Sequence, residues 1–143
     1  MNQWLDLGFL LLFMILLYIA SIQDLKTNYV SYGIIAGMLA LSLTYFGLNG
    51  FHDWGIILLY YTMLLISSHF NFMGGADVYL LTSVMLFLGL NQIIYFLISM
   101  IILSVPYLYL FLIKRKEKIF PFVPLIACSY LMAEMIIIIV GWV

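Results

Sequence analysis

The chain has 143 residues, of which 67% are apolar and 8% charged, with a formal net charge of -1 and a mean hydropathy of +1.23. A soluble domain of this length covers itself with about 25% charged residues, so a largely water-facing surface is excluded. Lipid as solvent leaves only helices or closed barrels. Continuous runs of Leu, Ile and Met, without the alternating strands of about ten residues that a barrel needs, read as an all-α, polytopic membrane helix bundle. The single cysteine, Cys128, rules out an internal disulfide and a CxxC zinc site, and sits in an apolar run as a small buried residue. The N-terminal Met1-Asn2-Gln3-Trp4 has no basic residue before the first apolar run, so that run reads as a retained span.

A span takes about 20 apolar residues. In chain order the candidates are about 5–23, 31–48, 54–70, 77–90, 92–113 and 121–142. Polar punctuation separates most of them: Gln23 to Asn28, Asn49 to Asp53, His69 to Asp77, and Lys114 to Lys118. Gly89-Leu90-Asn91-Gln92 is the weakest break, so residues 78–113 read either as one long helix or as two spans. Six spans place every basic residue on one side: Lys26 in the first inner loop, and Lys114, Arg115, Lys116 and Lys118 in the third. This is the positive-inside pattern, with both termini extracytoplasmic. Trp4, Trp54 and Trp142, with Asp6 and Asp53, then fall near the outer interface, where indoles prefer to sit.

Asp24 falls at the inner end of span 1, and Asp77 at the inner start of span 4, after Met73-Gly74-Gly75-Ala76. Two spans separate them, so parity puts both carboxylates at the cytoplasmic face. Taken singly, Asp24 reads as an interface residue paired with Lys26, and Asp77 as a helix N-terminal acid. Taken together they are a functional hypothesis, because ionisable groups beside hydrocarbon are expensive. Two carboxyls held close share one proton near neutral pH. The ionised one can take a proton from water as it attacks a carbonyl, while the protonated one donates to the carbonyl oxygen. The pair titrates as a unit, which leaves acid and base unassigned. Gly74 and Gly75 would permit close approach of a substrate and turns with positive φ.

Three segments resemble the type IV prepilin peptidases, a family of membrane aspartyl proteases. Asp24-Leu25-Lys26-Thr27-Asn28-Tyr29-Val30-Ser31 is similar to the family's first motif, with Val30-Ser31 where an Ile-Pro pair is usual. Gly74-Gly75-Ala76-Asp77-Val78 resembles the GxGD motif, with Ala76 in place of the third-position glycine and Tyr79 where many members have Lys. Phe120-Pro121-Phe122-Val123-Pro124-Leu125-Ile126-Ala127 resembles the proline-containing segment before the last span. The resemblance implies Asp24 and Asp77 as the catalytic pair, with Lys26, Gly74, Gly75 and Ala76 in supporting motif positions. It implies an endopeptidase that cuts a short basic leader from prepilin-like precursors, after a glycine at the cytoplasmic boundary of the precursor's apolar helix. The chain resembles the minimal, peptidase-only members, such as those of Tad-type or archaeal systems. Residues 1–143 are therefore expected to form one membrane-embedded peptidase domain without the methylating N-terminal domain of larger members. No metal, cofactor or nucleic-acid partner is expected; the partners are the precursor and the bilayer, which would draw a basic leader to its anionic headgroups.

Other polar residues have quieter readings. Glu134 is the one acid deep in a span and reads as interhelical hydrogen-bonding glue, or as part of a proton path. His69 and His52 fall on opposite faces and cannot share a metal; His69 lies toward the Asp77 side. Gly33 and Gly37 form a GxxxG spacing that suggests a close helix contact, within the chain or between protomers. Two rival functions stay open: a non-catalytic membrane component of a pilus or secretion assembly, and a small transporter or channel using Glu134 and Asp77. The second has little support, since no inverted repeat is apparent.

Overall fold

The computed structural model describes residues 3–49, 54–69, 74–88, 90–110 and 121–141. Among these, all regular structure is helical: α1 (Gln3–Thr27), α2 (Tyr32–Asn49), α3 (Trp54–His69), α4 (Gly75–Phe87), α5 (Leu90–Leu108) and α6 (Val123–Gly141). The open question of spans 4 and 5 resolves into two helices. Leu88 leaves the helix with φ -82° and ψ 140°, and its N–H closes the last turn of α4 on the Val84 carbonyl. His52, Asp53, Met73, the Lys114–Lys118 cluster and Phe120 lie outside the described residues, as do the side chains of Trp4, Trp54 and Trp142.

Helix α4 is the axis of the bundle. It packs against α2, α3 and α6, while α1 packs against α2 and α6, and α5 against α6. Every residue of α4 from Leu80 to Phe87 is buried, as is Val78. Thirteen residues rise only about 20 Å, less than the roughly 30 Å hydrocarbon thickness, and this short helix is sheltered by its neighbours. At its far end Phe87 stacks on Phe13 of α1 (4.4 Å between ring centroids, 16° between planes) and on Tyr45 of α2 (4.2 Å, 13°). Offset aromatic stacking of this kind adds to the burial itself.

The outer surface is apolar. Tyr18, Leu58, Ile101 and Val105 are each about two-thirds exposed, and the buried hydroxyls of Ser21, Thr82 and Ser129 bond back to carbonyls one turn earlier rather than to water. Both traits suit a lipid solvent. Residues Leu5–Thr27 and Tyr32–Asn49 are long and apolar enough to cross a bilayer, and α4, α5 and α6 carry shorter apolar stretches. The expectation for Cys128 fails. Cys128 is exposed on α6 rather than buried, because the buried stripe of that helix runs through Val123, Ile126, Tyr130 and Ala133 and the 3.6-residue period carries position 128 to the other face. Within the chain the GxxxG pair makes no tight contact: a methyl at Gly37 would meet Leu16 of α1 at 3.8 Å, an ordinary distance, and one at Gly33 would meet nothing within 4 Å.

Candidate active site

On α1 the buried residues are Phe13, Leu17, Ala20, Ser21 and Asp24. These fall on one helical stripe, so the periodicity that seats Phe13 and Leu17 in the core also turns Asp24 inward, to 7% exposure. The helix ends one turn later. Asn28 adopts φ 51° and donates its N–H to the Asp24 carbonyl at 2.8 Å. This is the left-handed C-terminal stop, which asparagine tolerates better than most residues. The chain then turns into α2 through Ser31, whose carbonyl accepts the Ile35 N–H and whose own N–H donates to Gln23 Oε1 at 3.0 Å. A proline at this position would lack that donor, so the departure from Ile-Pro supplies its own tie between α1 and α2.

The Asp24 carboxylate is held from the opposite end of the sequence. Val123 N–H donates to its Oδ2 at 2.9 Å, across 99 residues, and the Phe122 amide contributes a second backbone hydrogen bond. Val123 is the first residue of α6, and the Ile126 N–H bonds the Phe122 carbonyl. Asp24 thus takes N–H groups that the start of a helix leaves without intrahelical partners, at the positive end of the helix dipole. Pro124, in the first turn of α6, has no N–H to waste there. The segment is fixed from α5 as well, where the Tyr107 hydroxyl donates to the Pro121 carbonyl at 2.8 Å.

Asp77 sits three residues after Gly74, the N-cap of α4. Its own N–H bonds the Gly74 carbonyl at 3.1 Å, and its carboxylate reaches back to the Gly74 N–H. That is the acidic half of a capping box, so the expected capping role and the expected site role fall on one side chain. The glycine is explained by space and not by turn geometry. A methyl at position 74 would stand 3.1 Å from Asp77 Oδ2, whereas φ of Gly74 is -66°, an ordinary value. The positive-φ expectation for these glycines is therefore incorrect. Gly75 has open space around it.

Asp24 and Asp77 line a single cavity of about 520 Å³, and their charges interact. Gly74, Gly75 and Ala76 form part of its wall, together with Asn28, Tyr29, Tyr32, Tyr79 and Phe122. Lys26 is exposed and does not line the cavity, nor does His69. Sequence reasoning missed the backbone amides of Phe122 and Val123 as partners of Asp24. The signal for them was Pro121 and Pro124 bracketing the start of the last helix. It also missed the tyrosines: Tyr29 and Tyr32 pack edge to face at 6.1 Å at the exposed rim.

A second polar cavity, of about 300 Å³, lies at the other end of the bundle among Asp6, Tyr45, Gln92 and Glu134. Eighteen residues of α1, about 27 Å of helix, separate Asp6 from Asp24, with Phe13, Leu17 and Ala20 buried between them. Glu134 interacts with the Tyr130 side chain one turn before it on α6.

Fold and site together define a helical membrane protein with two carboxyls converging on one cavity at one end of its bundle. The type IV leader peptidase family model matches residues 11–109, and the chain belongs to that family. No curated protein and no solved structure matches it.

Proposed function

We propose that this protein is an aspartic endopeptidase that removes the leader from prepilin-like precursors at the cytoplasmic face of the cell membrane, with Asp24 and Asp77 as its catalytic pair. The observation that carries this reading is the convergence of these two carboxyls, 53 positions apart in the sequence (77 - 24), on one cavity. Family membership supplies the leader-peptidase role in general; the paired acids supply a mechanism.

One carboxylate of the pair takes a proton from a water molecule as that water attacks the scissile carbonyl. The other, protonated, donates to the carbonyl oxygen, giving a neutral gem-diol. As it collapses, the protonated carboxyl gives its proton to the leaving amine, the other carboxylate takes one from a gem-diol hydroxyl and the C–N bond breaks, so that the pair again holds one proton. Asp24 enters this cycle oriented by two backbone amides, and Asp77 by one. Each reaction step thus draws on groups whose positions the helix ends hold. The rims of Tyr29 and Tyr32 offer ring faces to a Lys or Arg of a basic leader, and the carboxyls add charge attraction. The remaining basic cluster, Lys114 to Lys118, serves as a topology anchor in this reading.

A synthetic precursor with a basic leader, a Gly at the cleavage point and an apolar helix of about 20 residues tests the proposal. Incubation with the reconstituted protein should yield two products whose masses place the cut directly after the Gly. Uncut precursor, or a cut elsewhere in the leader, would contradict it.

A further inference from the structure

Helices α2 and α3 are consecutive and both pack on α4, yet among the described residues they make no substantial contact with one another. The gap between them is floored by Tyr79, Thr82 and Leu86 of α4, which fall at i, i+3 and i+7 and so form one stripe. Its walls are Leu39 and Leu43 on α2, and Leu58 and Tyr61 on α3. The resulting groove, about 210 Å³, is open and almost wholly apolar; the Thr82 hydroxyl in its floor is spent on the Val78 carbonyl at 2.7 Å.

Two features distinguish this groove from an ordinary lipid-facing furrow. Tyr79 lines both it and the cavity that holds Asp24 and Asp77. Tyr79 is also the one residue between Val78 and Leu88 that breaks the burial of α4, at 41% exposure. The groove therefore begins two residues past Asp77 and runs along α4 away from the carboxyls. From Tyr79 to Leu86 it covers about 10 Å, or two helical turns.

We infer that this groove seats the apolar helix of the precursor, with the first two turns after the cleavage point lying against Tyr79, Thr82 and Leu86. The inference rests on the leader-peptidase reading and specifies where its substrate binds. A chain cut at the carboxyls and apolar on one side of the cut needs an apolar path that leaves the cavity, and this groove is continuous with it. Helix ridges fill such a furrow by ordinary interdigitation, and in lipid it is packing rather than hydrophobic burial that holds the two together. Tyr79, standing at the junction, fixes the register between helix and scissile bond.

The test uses the full chain with Cys128→Ser and the synthetic precursor described above. With Leu43→Cys added, oxidation should link the protein to cysteines placed in the first two turns of the precursor helix, and not to cysteines in its far half. Independently, Leu43→Trp should fill the groove from a half-exposed position. The ratio of KM for the precursor to KM for a short leader peptide lacking the helix should rise about 10-fold, the low end of the discrimination that a misfit in an apolar pocket gives. Val105→Trp, on the exposed face of α5, should leave that ratio as it is. An unchanged ratio in Leu43→Trp, or cross-links formed equally well from Val105→Cys, would overturn the groove assignment and leave it a seat for lipid chains. If the parent protein cuts neither substrate, the peptidase reading itself fails, and the two failures are thereby told apart.

Discussion

Asp24 is buried because it sits on the same helical stripe as Phe13 and Leu17, and it is tolerated there because the start of α6 offers it two amides. Val123→Pro isolates that contribution. Proline suits the first helical position and removes the N–H, but it also replaces a fully buried valine, so kcat is compared at matched levels of folded protein, where it should fall about 10-fold or more. Unchanged kcat would show that the amide does not orient the acid. Gly74→Ala makes the matching test at Asp77. Its methyl would press on Oδ2 from 3.1 Å, and displacements well under 1 Å at a reacting group cost heavily; a fall of about 10-fold in kcat with little change in KM is expected. The place of Asp24 at the inner end of the first span was legible from chain parity; its inward turn was not, because α1 is apolar nearly all round and positions 13, 17 and 20 do not stand out from their neighbours. Nor were the partner amides, because a contact across 99 residues is set by how helices pack and leaves no periodic trace.

At the scale of elements, the site is made of helix ends: the last turn of α1, the first turn of α4 and the first residues of α6. Each end has a local device. Asn28 stops α1 in the left-handed region, Ser31 opens α2, Gly74 caps α4, and Pro121 and Pro124 bracket the start of α6. Asn28→Val should cost about 1–2 kcal/mol, because a β-branched residue resists positive φ, and Asn28→Gly should cost much less; thermal unfolding of the two variants in the same detergent gives the comparison. Tyr107→Phe removes one hydrogen bond to Pro121 and should lower stability by about 1 kcal/mol. The helices themselves were legible from apolar runs, and the break between α4 and α5 was the ambiguous one. Gly89-Leu90-Asn91-Gln92 is too weakly polar to end a span by composition, and it is Leu88, with its extended backbone, that leaves the helix.

For the whole molecule, the central claim is that one end of the bundle is a cytoplasm-facing peptidase site. Chain parity and the positive-inside pattern are its grounds for sidedness, and both are visible in the sequence; the shared cavity, which depends on α4 being sheathed by α2, α3 and α6, is not. Tyr32 lies on the cavity rim at 78% exposure. In a Cys128→Ser background, Tyr32→Cys should react with a membrane-impermeant maleimide in inverted vesicles and not in intact cells; labelling of intact cells would reverse the orientation. The most direct measurement is cleavage of a co-expressed precursor by Asp24→Asn and by Asp77→Asn, each at matched protein levels. Both substitutions keep size and remove a titrating group, so each alone should reduce cleavage by at least about 100-fold, as expected for lost acid–base chemistry. Cleavage at the parent rate by either variant would contradict the two-aspartate account.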